Sequence, residues 1–479
     1  MTEENTIEKV IEEVKRLKPE QTILVLNGST DRTAQIVEKM RGISLIRFDT
    51  PLGHDVGRAV GASCAQADIY LFTDGDIVLK AAELYPFVQA IEAGFDIAMN
   101  NIDRFCRYRH PPATVIDRAL LNILQNRSDL GIGNILSIPH AISRKALLSI
   151  NAHRLSNPML ANAMLLEKNL RVTFANELDV VKKNRWRPEH LPSIGERMPD
   201  AYERIHGDAV ETICELWIEK GEAEHSWNKR TIVGGPPMPK RKGDAFKGSL
   251  ILCLDRESEQ DLHRLQIALQ AGMEIVPFVK RTFTEAMKCL EQYDVPYITL
   301  DEETSESLCY VKGAELALGN SLLFSRLSTL PQTAEEFQKF FNLPENPAIR
   351  MVDRQYWVGP VETMHPMHIA IYFLNITCRR NEWTVSSMLA SPYSMNRKAL
   401  DLIGTSTLAN PLVAQMKAVH LDMMVELVNL TASESQLPPS FLSFDRELFL
   451  EALRYWTNLC GKRGGFSDGN RLRHIVPLN

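Results

Sequence analysis

The sequence predicts an α/β protein made of two similar domains, and three observations support this prediction. Short runs rich in Val, Ile and Leu, such as residues 22–29 and 44–50, alternate with helical patterns such as residues 30–40. That alternation favours a largely parallel sheet covered by helices. The pattern recurs in the second half of the chain. With 479 residues, 44% of them hydrophobic, the chain can bury the cores of two domains or more.

A single offset relates the two halves of the chain. The helix glycines Gly61 and Gly313 are 252 positions apart. Three segments agree on this offset without gaps, namely 22–29 with 274–281, 44–50 with 296–302 and 58–72 with 310–324. Internal similarity at one offset indicates a duplicated domain.

The repeat predicts the domain boundaries. We expect a first domain over residues 1–232, a linker over 233–247 and a second domain over 248–479. The linker is rich in Gly, Pro and Lys and lacks hydrophobic periodicity. The second repeat opens with an extra strand at 249–255, whose equivalent in the first repeat would precede Met1. The first domain is therefore expected to lack its first strand.

Composition argues against several classes of protein. The formal net charge of −6 and the pI near 6.1 lack the positive footprint of nucleic-acid binders. The eight cysteines are scattered singly without a CxxC pair, which is typical of reduced thiols in the cytoplasm. The chain contains neither the apolar core of a signal peptide nor an apolar run of 18 residues. We therefore expect a cytoplasmic protein without a transmembrane segment.

Two carboxylates follow one of the apolar strands. In the stretch LFTDGDIVL, Asp74 and Asp76 flank Gly75 in a turn. Carboxylate oxygens are the ligands that Mg²⁺ and Mn²⁺ prefer, and open parallel sheets bind ligands at the carboxyl ends of their strands. The stretch predicts a divalent-cation site; a solvated turn is the alternative interpretation.

The segments LVLNGSTDRTAQIVEKM and GRAVGASCAQADIYLFTDGDIVL together resemble the nucleotide-binding half of family 2 glycosyltransferases. That family has an Asn-Gly-Ser turn after a strand, then a Gly-rich helix with a basic residue, then a D-x-D strand end. The residues that match are Asn27, Gly28, Ser29, Asp31, Thr33, Arg58, Gly61, Ala62, Asp74 and Asp76. The resemblance spans roughly residues 3–100 and implies a Rossmann-like GT-A fold, present twice in this chain.

The resemblance also implies the activity. It points to an enzyme that transfers a sugar from a nucleotide-diphosphate donor to an acceptor, which could be a sugar, a lipid-linked molecule or a small molecule. Asp74 and Asp76 would hold Mg²⁺ or Mn²⁺, which neutralises charge on the leaving group. The residues expected at the nucleotide sugar are Asn27, Ser29, Asp31, Arg58, Asp74 and Gly75. For Asp31 the alternative is a carboxylate that caps a helix. A homo-oligomer is compatible with the sequence.

The catalytic base is left unassigned. Inverting members of the family often carry acids after a basic stretch, where this chain has Asn157 and Pro158. Either an acid elsewhere serves, or the enzyme retains configuration. His140 and Arg144 fall where an acceptor pocket is expected, although a surface turn is the more ordinary interpretation of each.

A downstream histidine is a further candidate metal ligand. Some retaining GT-A enzymes add such a residue to the D-x-D, and the segment 180–190 offers His190. A solvated basic loop is the alternative, and His206 is a second candidate ligand. The basic residues of the segment that could bind a diphosphate are Lys182, Lys183, Arg185 and Arg187.

The second repeat lacks the D-x-D motif. The offset of 252 places Arg326, Leu327 and Ser328 where the first repeat has Asp74, Gly75 and Asp76, and it places Phe283 on Asp31. A degenerate domain kept for packing is the expected interpretation. Metal-free phosphate binding through Arg326 is the alternative.

Two other functions stay open for the whole chain. One is a catalytically inactive pseudo-glycosyltransferase that acts as a scaffold or binds sugar nucleotides. The other is a nucleotidyltransferase, although the G-x-G-x-R type of loop expected near the first strand of that class is not found.

Overall fold

The structure is a computed structural model, and it describes residues 3–183, 198–221, 248–301, 304–430 and 444–477. The chain divides into two compact units. Unit 1 comprises Met1–Lys220, Gly359–Met364 and Leu459–Asn479, and unit 2 comprises Gly221–Val358 and His365–Asn458. The closing segment of the chain thus groups with unit 1, whereas the sequence placed it in the second domain. The expected linker lies outside the described residues.

Unit 1 alternates strands and helices along the chain. Its elements are α1 (Ile7–Arg16), β1 (Ile23–Asn27), α2 (Thr33–Glu38), β2 (Ser44–Phe48), α3 (Val56–Cys64), β3 (Ile69–Phe72), α4 (Ala81–Glu92), β4 (Ile97–Asn100), α5 (Ala113–Leu124), β5 (His140–Ser143), α6 (Arg144–Ile150), α7 (Pro158–Glu167), β6 (Val172–Asn176), α8 (Val180–Lys183) and α9 (Asp200–Ile213). The strands β1 and β2 form a parallel pair. The other four form a sheet in the order β3-β5-β4-β6, in which β5 runs antiparallel to both neighbours.

Unit 2 contains a continuous sheet of seven strands. Its elements are β7 (Gly248–Leu254), α10 (Glu259–Gln270), β8 (Glu274–Lys280), α11 (Thr284–Gln292), β9 (Ile298–Leu300), α12 (Glu306–Leu316), β10 (Ser321–Arg326), α13 (Ala334–Phe341), β11 (Ala348–Val352), α14 (Pro366–Thr377), β12 (Tyr393–Asn396), α15 (Arg397–Ile403), α16 (Pro411–His420), β13 (Met424–Val428) and α17 (Arg446–Cys460). The strand order is β13-β11-β12-β10-β7-β8-β9, and β12 is the antiparallel member. The predicted α/β class, with largely parallel sheets, is confirmed.

The two units share one strand order. The order β6-β4-β5-β3 followed by β1-β2 in unit 1 corresponds, strand for strand, to unit 2 without β7. Among the described residues, no strand of unit 1 pairs with both β3 and β1. Every residue of β7 and of β10 is buried, whereas all four residues of β3 and the first three of β1 are only half-buried. We therefore attribute the more complete burial of the unit 2 sheet to its central strand, β7.

Side-chain contacts repeat with the strands. Asn122 of α5 donates from its amide to two backbone carbonyls of the following loop, and Asn375 of α14, 253 positions later, does the same. Asn157 and Asn410 each cap the next helix, α7 and α16, through a side-chain oxygen. Buried amides in such roles need specific partners, so the correspondence extends beyond the backbone.

The core of unit 2 follows the period of two that a strand imposes. Leu250, Leu252 and Leu254 of β7 belong to the cluster on one face of the sheet, and Ile251 and Cys253 belong to the cluster on the other. In unit 1 the main cluster joins α3, β4, β5 and the last residues of the chain. Because α3 carries Arg58 and Asp74 lies two residues after β3, this packing brings both residues to the carboxyl end of β3.

Candidate functional site

The turn after β1 is tight, and the loop at residues 51–53 packs against it. Gly28 has φ +62, and a Cβ at this position would lie 2.6 Å from the backbone nitrogen of Pro51. The amide of Asn27 donates to the carbonyl of Gly53 at 2.8 Å and accepts from the backbone N–H of Leu52. Asn27, predicted to contact a nucleotide, thus holds the loop at residues 51–53, and its amide is occupied by that loop.

Asp31 lies two residues before α2 and accepts the backbone N–H of the first residue of that helix. Its carboxylate accepts from the Ser29 hydroxyl at 2.8 Å, from the backbone N–H of Thr33 at 3.0 Å and from the backbone N–H of Glu4 at 3.0 Å. Partial burial alone would raise the pKa of Asp31, but these hydrogen bonds, led by those from Thr33, lower it to about 2. Asp31 is thus a carboxylate at the N-terminus of α2, as the alternative interpretation proposed, and it stays ionised beside the end of β1.

Asp74 is paired with Arg58. The Arg58 Nη2 atom lies 3.1 Å from Asp74 Oδ1 and 3.2 Å from Oδ2. Arg58 Nη1 lies 3.1 Å from Asp55 Oδ1. Burial alone would lower the pKa of Arg58, but the charges of Asp74 and Asp55, with a smaller contribution from Asp76, raise it. The guanidinium is therefore fully charged and directed at the strand end on which Asp74 lies.

The chain start packs over the Asp74–Asp76 turn. The Thr6 hydroxyl donates to the carbonyl of Gly75 at 2.8 Å, and a Cβ on Gly75 would lie 3.1 Å from Ile7 Cδ1. Glu3 donates its backbone N–H to the Thr33 hydroxyl at 3.0 Å. The segment 3–7 therefore joins the turn after β1 to the turn after β3. Gly75 leaves room for this close approach.

The last residues of the chain reach the same region, which the sequence analysis did not identify. Leu472 donates its backbone N–H to the carbonyl of Leu52 at 2.8 Å. The guanidinium of Arg471, with no exposed side-chain surface, lies 3.9 Å from Asp55 and also pairs with Asp208. Alternating charges thus run from Arg471 through Asp55 and Arg58 to Asp74. The Gly- and Arg-rich composition of residues 461–476 was the available signal, but it did not specify the unit to which this segment attaches.

His140 lies on the buried strand β5. The surface turn suggested for it is wrong, because the side chain is 2% exposed and its ring stacks on Phe72 with centroids 4.8 Å apart. Burial, followed by the nearby charge of Arg58, lowers the pKa of His140 to about 3, so the ring is neutral. Its Nε2 atom is buried without a partner among the described residues.

A narrow cleft lies between Arg58 and His140. The lining side chains are Arg58, Phe72, Ile135, His140, Leu155 and Pro158. The cleft leaves no room for a water molecule, so a sugar nucleotide would require it to widen. Arg144, at the start of α6, has a side chain that is 56% exposed and does not line it.

The basic segment after β6 is described only in part. Lys183 at the end of α8 donates to Glu83 at 2.9 Å, and Lys182 is exposed. The predicted metal ligand His190 and the basic residues Arg185 and Arg187 lie outside the described residues.

His206, the second candidate ligand, is committed elsewhere. It lies on α9 with a side chain that is 0% exposed, and its Nδ1 atom is 2.6 Å from Asp117 Oδ1. Its ring also meets Phe466 edge-on at 5.0 Å. This contact set is that of a buried structural histidine.

The position expected for a catalytic acid is also structural. Asn157 is 1% exposed and donates to Glu211 at 3.0 Å. Glu211 is in turn bound by Arg463 and Arg473 of the closing segment. Among the described residues, no acid is therefore free at this position to accept a proton from an acceptor.

The oxygen atoms at the D-x-D turn could supply some, but not all, of the ligands that Mg²⁺ or Mn²⁺ needs. Asp74 and Asp76 supply carboxylate oxygens, and the Thr73 hydroxyl before them is buried without a partner in the described part of the chain. Within those residues, no group of three or more His, Cys, Asp or Glu side chains is arranged to hold a metal. Further ligands would have to come from water or from a bound diphosphate, as Mg²⁺ commonly has.

The corresponding place in unit 2 has the opposite charge arrangement. Arg326 at the end of β10 is buried and pairs with Glu306 of α12. Ser328 donates its hydroxyl to Asp255, and Phe283 precedes α11. In unit 1 the helix supplies the cation and the strand end the anion; in unit 2 the roles are exchanged. Arg326 is thus neutralised by a neighbour.

No helix within the described ranges is both long and apolar enough to cross a membrane.

Comparison with known proteins finds a family match for the first third of the chain. Residues 1–149 match the family model for glycosyl transferase family 2. No curated protein sequence matches the chain significantly.

Solved structures resemble the chain only slightly. Glucosyl-3-phosphoglycerate synthase from Mycobacterium tuberculosis, in complex with UDP, is 11% identical over 47% of this chain and 82% of its own, with a TM-score of 0.32. A mannosyltransferase from Pyrobaculum calidifontis, in complex with GDP-Man and Mn²⁺, is 9% identical over 56% and 84%, with a TM-score of 0.27. The 4-diphosphocytidyl-2C-methyl-D-erythritol synthase from Anaerococcus prevotii is 12% identical over 44% and 96%, with a TM-score of 0.29. Because these scores are below 0.5, they carry no argument about function. The family match over residues 1–149 confirms, for that part of the chain, the resemblance drawn from the motifs.

Proposed function

We propose that unit 1 binds a nucleotide-diphosphate sugar and transfers the sugar to an acceptor. The observation that carries this proposal is the pairing of Arg58 with Asp74 at the carboxyl end of β3. Ligands in open parallel sheets bind at that edge. Asp31 lies at the neighbouring turn, so acidic and basic groups suited to a metal-bound diphosphate converge there.

Each residue has a distinct proposed role. Asp74 and Asp76 would hold Mg²⁺ or Mn²⁺, which when bound supplies positive charge to the departing nucleoside diphosphate. Arg58 can donate to phosphate oxygens, because a guanidinium suits such oxyanions and this one is held fully charged. Asp31 and Asn27 position the loops around the site through the hydrogen bonds described above. The sugar and the acceptor are not assigned.

A second candidate function is sugar-nucleotide binding without turnover. The observation that favours it is the structural use of Asn157 and Glu211, which leaves no described acid at the place expected for a base. Retention of configuration would remove the need for that base.

We further infer that unit 2 is a diverged copy of unit 1. The shared strand order and the paired amides Asn122 and Asn375 support this inference. The exchange of Asp74 for Arg326, with Glu306 as its partner, makes unit 2 unsuitable for a metal-bound diphosphate. The domain boundaries proposed at 1–232 and 248–479 then apply to the repeats, with residues 459–479 packed into unit 1.

Turnover decides between the two candidates. Release of UDP or GDP from a panel of sugar nucleotides with Mn²⁺ should be measurable with the full chain and absent in an Asp74→Ala/Asp76→Ala variant. Asp129→Ala is a matched control, because this exposed carboxylate pairs with Arg127 at 2.9 Å, away from β3. If every sugar nucleotide stays intact while nucleotide binding persists, the binding-only function is correct.

A further inference from the structure

Unit 2 contains a buried guanidinium to which the described residues offer no counterion. Arg354, just after β11, is 6% exposed. Its Nη2 atom donates to the carbonyls of Ala390 at 3.1 Å and Ser391 at 2.7 Å, and its buried Nε atom has no partner in the described part of the chain. Among the described residues, Arg354 forms no ion pair. Burying a charge that has only neutral partners costs folding free energy, so packing alone does not explain the position of Arg354.

The ring of Trp357 contacts both this guanidinium and a buried histidine. The Cζ atom of Arg354 lies 4.4 Å from the centroid of the Trp357 ring. His368 stacks on the same ring, with centroids 5.1 Å apart and an interplanar angle of 13°. His368 is 5% exposed, and its Nε2 atom has no partner among the residues that the structure describes. We call Arg354, Trp357 and His368 the Arg-Trp-His stack.

Unit 1 shows that the fold does not require this stack. β4 and β11 are each followed by a three-residue 3-10 helix, at Asp103–Phe105 and Gln355–Trp357. That correspondence places Ile102 on Arg354 and Phe105 on Trp357. Likewise α5 and α14 correspond at an offset of 253, which places Val115 on His368. Ile102 and Val115 are each 4% exposed, so apolar side chains fill these places in unit 1.

The electrostatics around the stack favour a negative ligand. Burial lowers the pKa of Arg354 to about 10, which still leaves it charged at neutral pH, while the side chain of Tyr356 offsets part of that shift. Tyr356 is 49% exposed and meets the Trp357 ring edge-on, with centroids 5.4 Å apart. His368 lies in the first turn of α14, where the helix dipole adds positive potential. A charged guanidinium, an imidazole nitrogen and a helix start together suit a phosphate-type oxyanion.

We propose that the Arg-Trp-His stack of unit 2 is a binding site for a phosphoryl group, either free phosphate or the phosphate of a small organic molecule. The bound oxyanion would accept from Arg354 Nε and from the His368 ring, and it would supply the missing negative charge. This site is distinct from the Arg326–Glu306 pair, whose charges cancel. It does not depend on the function proposed for unit 1.

Thermal unfolding with inorganic phosphate at constant ionic strength tests the proposal. Phosphate should raise the Tm of the full chain, because a ligand that binds only the folded state stabilises it. Arg354→Ile, which installs the residue type of unit 1, should lose that shift and weaken calorimetric phosphate binding by at least about tenfold. Arg380→Ile is the matched control, since Arg380 also lies over a tryptophan, Trp383, at 5.5 Å but has Glu382 at 3.8 Å.

The unfolding temperature of Arg354→Ile, with and without phosphate, distinguishes the possible outcomes. Without phosphate, Arg354→Ile should unfold at the wild-type temperature or above it, because a buried unpaired charge is removed. A phosphate shift that persists in Arg354→Ile, or that is absent from wild type, overturns the proposal. His368→Val provides a second variant should Arg354→Ile fail to fold, and it should weaken phosphate binding as well.

Two further arms identify the source of the phosphoryl group and separate this site from unit 1. Glycerol phosphate that binds more tightly than inorganic phosphate would indicate an organic ligand, and the reverse order would indicate free phosphate. The phosphate shift should survive in Asp74→Ala/Asp76→Ala. If that variant loses the shift, the phosphate binds unit 1 and the proposed site is wrong.

Discussion

Arg58 Nη2 lies 3.1 Å from one carboxylate oxygen of Asp74 and 3.2 Å from the other. The two residues come from α3 and from the end of β3, so the pair ties a helix to the strand edge at which a diphosphate is expected. In unit 1 the helix therefore carries the positive charge of this pair and the strand end carries the negative charge. In unit 2 the helix carries the negative charge, Glu306, and the strand carries the positive charge, Arg326. The following predictions test what this arrangement contributes.

Arg58→Leu should weaken binding of UDP or GDP by at least about tenfold, because hydrogen bonds to charged groups contribute about 1.5–3 kcal/mol. Arg32→Leu is the control, since Arg32 has a 76% exposed side chain and pairs with Glu4 at 3.2 Å. Calorimetric titration of both variants measures the difference. Equal affinities for the two variants would remove Arg58 from the site.

Arg471→Leu should destabilise unit 1 by about 1.5–3 kcal/mol, because the buried carboxylate of Asp208 loses one of its three guanidinium partners and keeps Arg463 and Arg473. Lys462→Leu, in the same segment, should cost about 1 kcal/mol or less, since its pair with Glu219 is exposed. Chemical denaturation monitors both variants. An Arg471→Leu protein as stable as wild type would show that the closing segment is dispensable.

Gly313→Ala should destabilise unit 2 by about 1–3 kcal/mol, because the new Cβ would lie 2.3 Å from Ile251 Cγ2 on the central strand β7. Gly61→Ala is the matched variant in unit 1, where the nearest atom, Val25 Cγ2, is 3.5 Å away. Alanine is the better helix former, so Gly61→Ala should be neutral or stabilising by up to about 1 kcal/mol. Denaturant unfolding of the two variants should therefore show free energies of unfolding that change in opposite directions. Changes of the same sign and size would contradict the difference in packing around the two glycines.

His140 should make the protein less stable in acid. Its pKa is about 3 in the folded state, against an ordinary value of 6.5, so the unfolded chain binds a proton that the folded chain excludes. The stability from this group is complete above pH 6.5 and falls as the pH drops toward 3. Between pH 8 and pH 5 the loss should be about 2 kcal/mol. His140→Asn should show a shallower decline in unfolding free energy, and an unchanged slope would contradict the assignment of a neutral ring.

Sequence reasoning reached the α/β class because β-branched runs and helical patterns alternate strongly. It also identified Asp74 and Arg58, which the structure brings into contact. It missed the contact between Arg471 and Asp208, because 263 positions separate them and no local pattern encodes such a distance. His140 was misplaced because a His-containing turn motif and a short buried strand look alike without knowledge of the neighbouring strands. The Arg-Trp-His stack was invisible for a similar reason, since burial and missing counterions are properties of the folded chain.

The most direct test is calorimetric titration of the full chain with UDP and with GDP, each with and without Mn²⁺, beside an Asp74→Ala/Asp76→Ala variant. We expect one nucleotide to bind more tightly with Mn²⁺, and we expect the variant to lose that metal-dependent gain. Binding that is indifferent to Mn²⁺ and to the double substitution, or no binding of either nucleotide, would contradict a donor site at the end of β3.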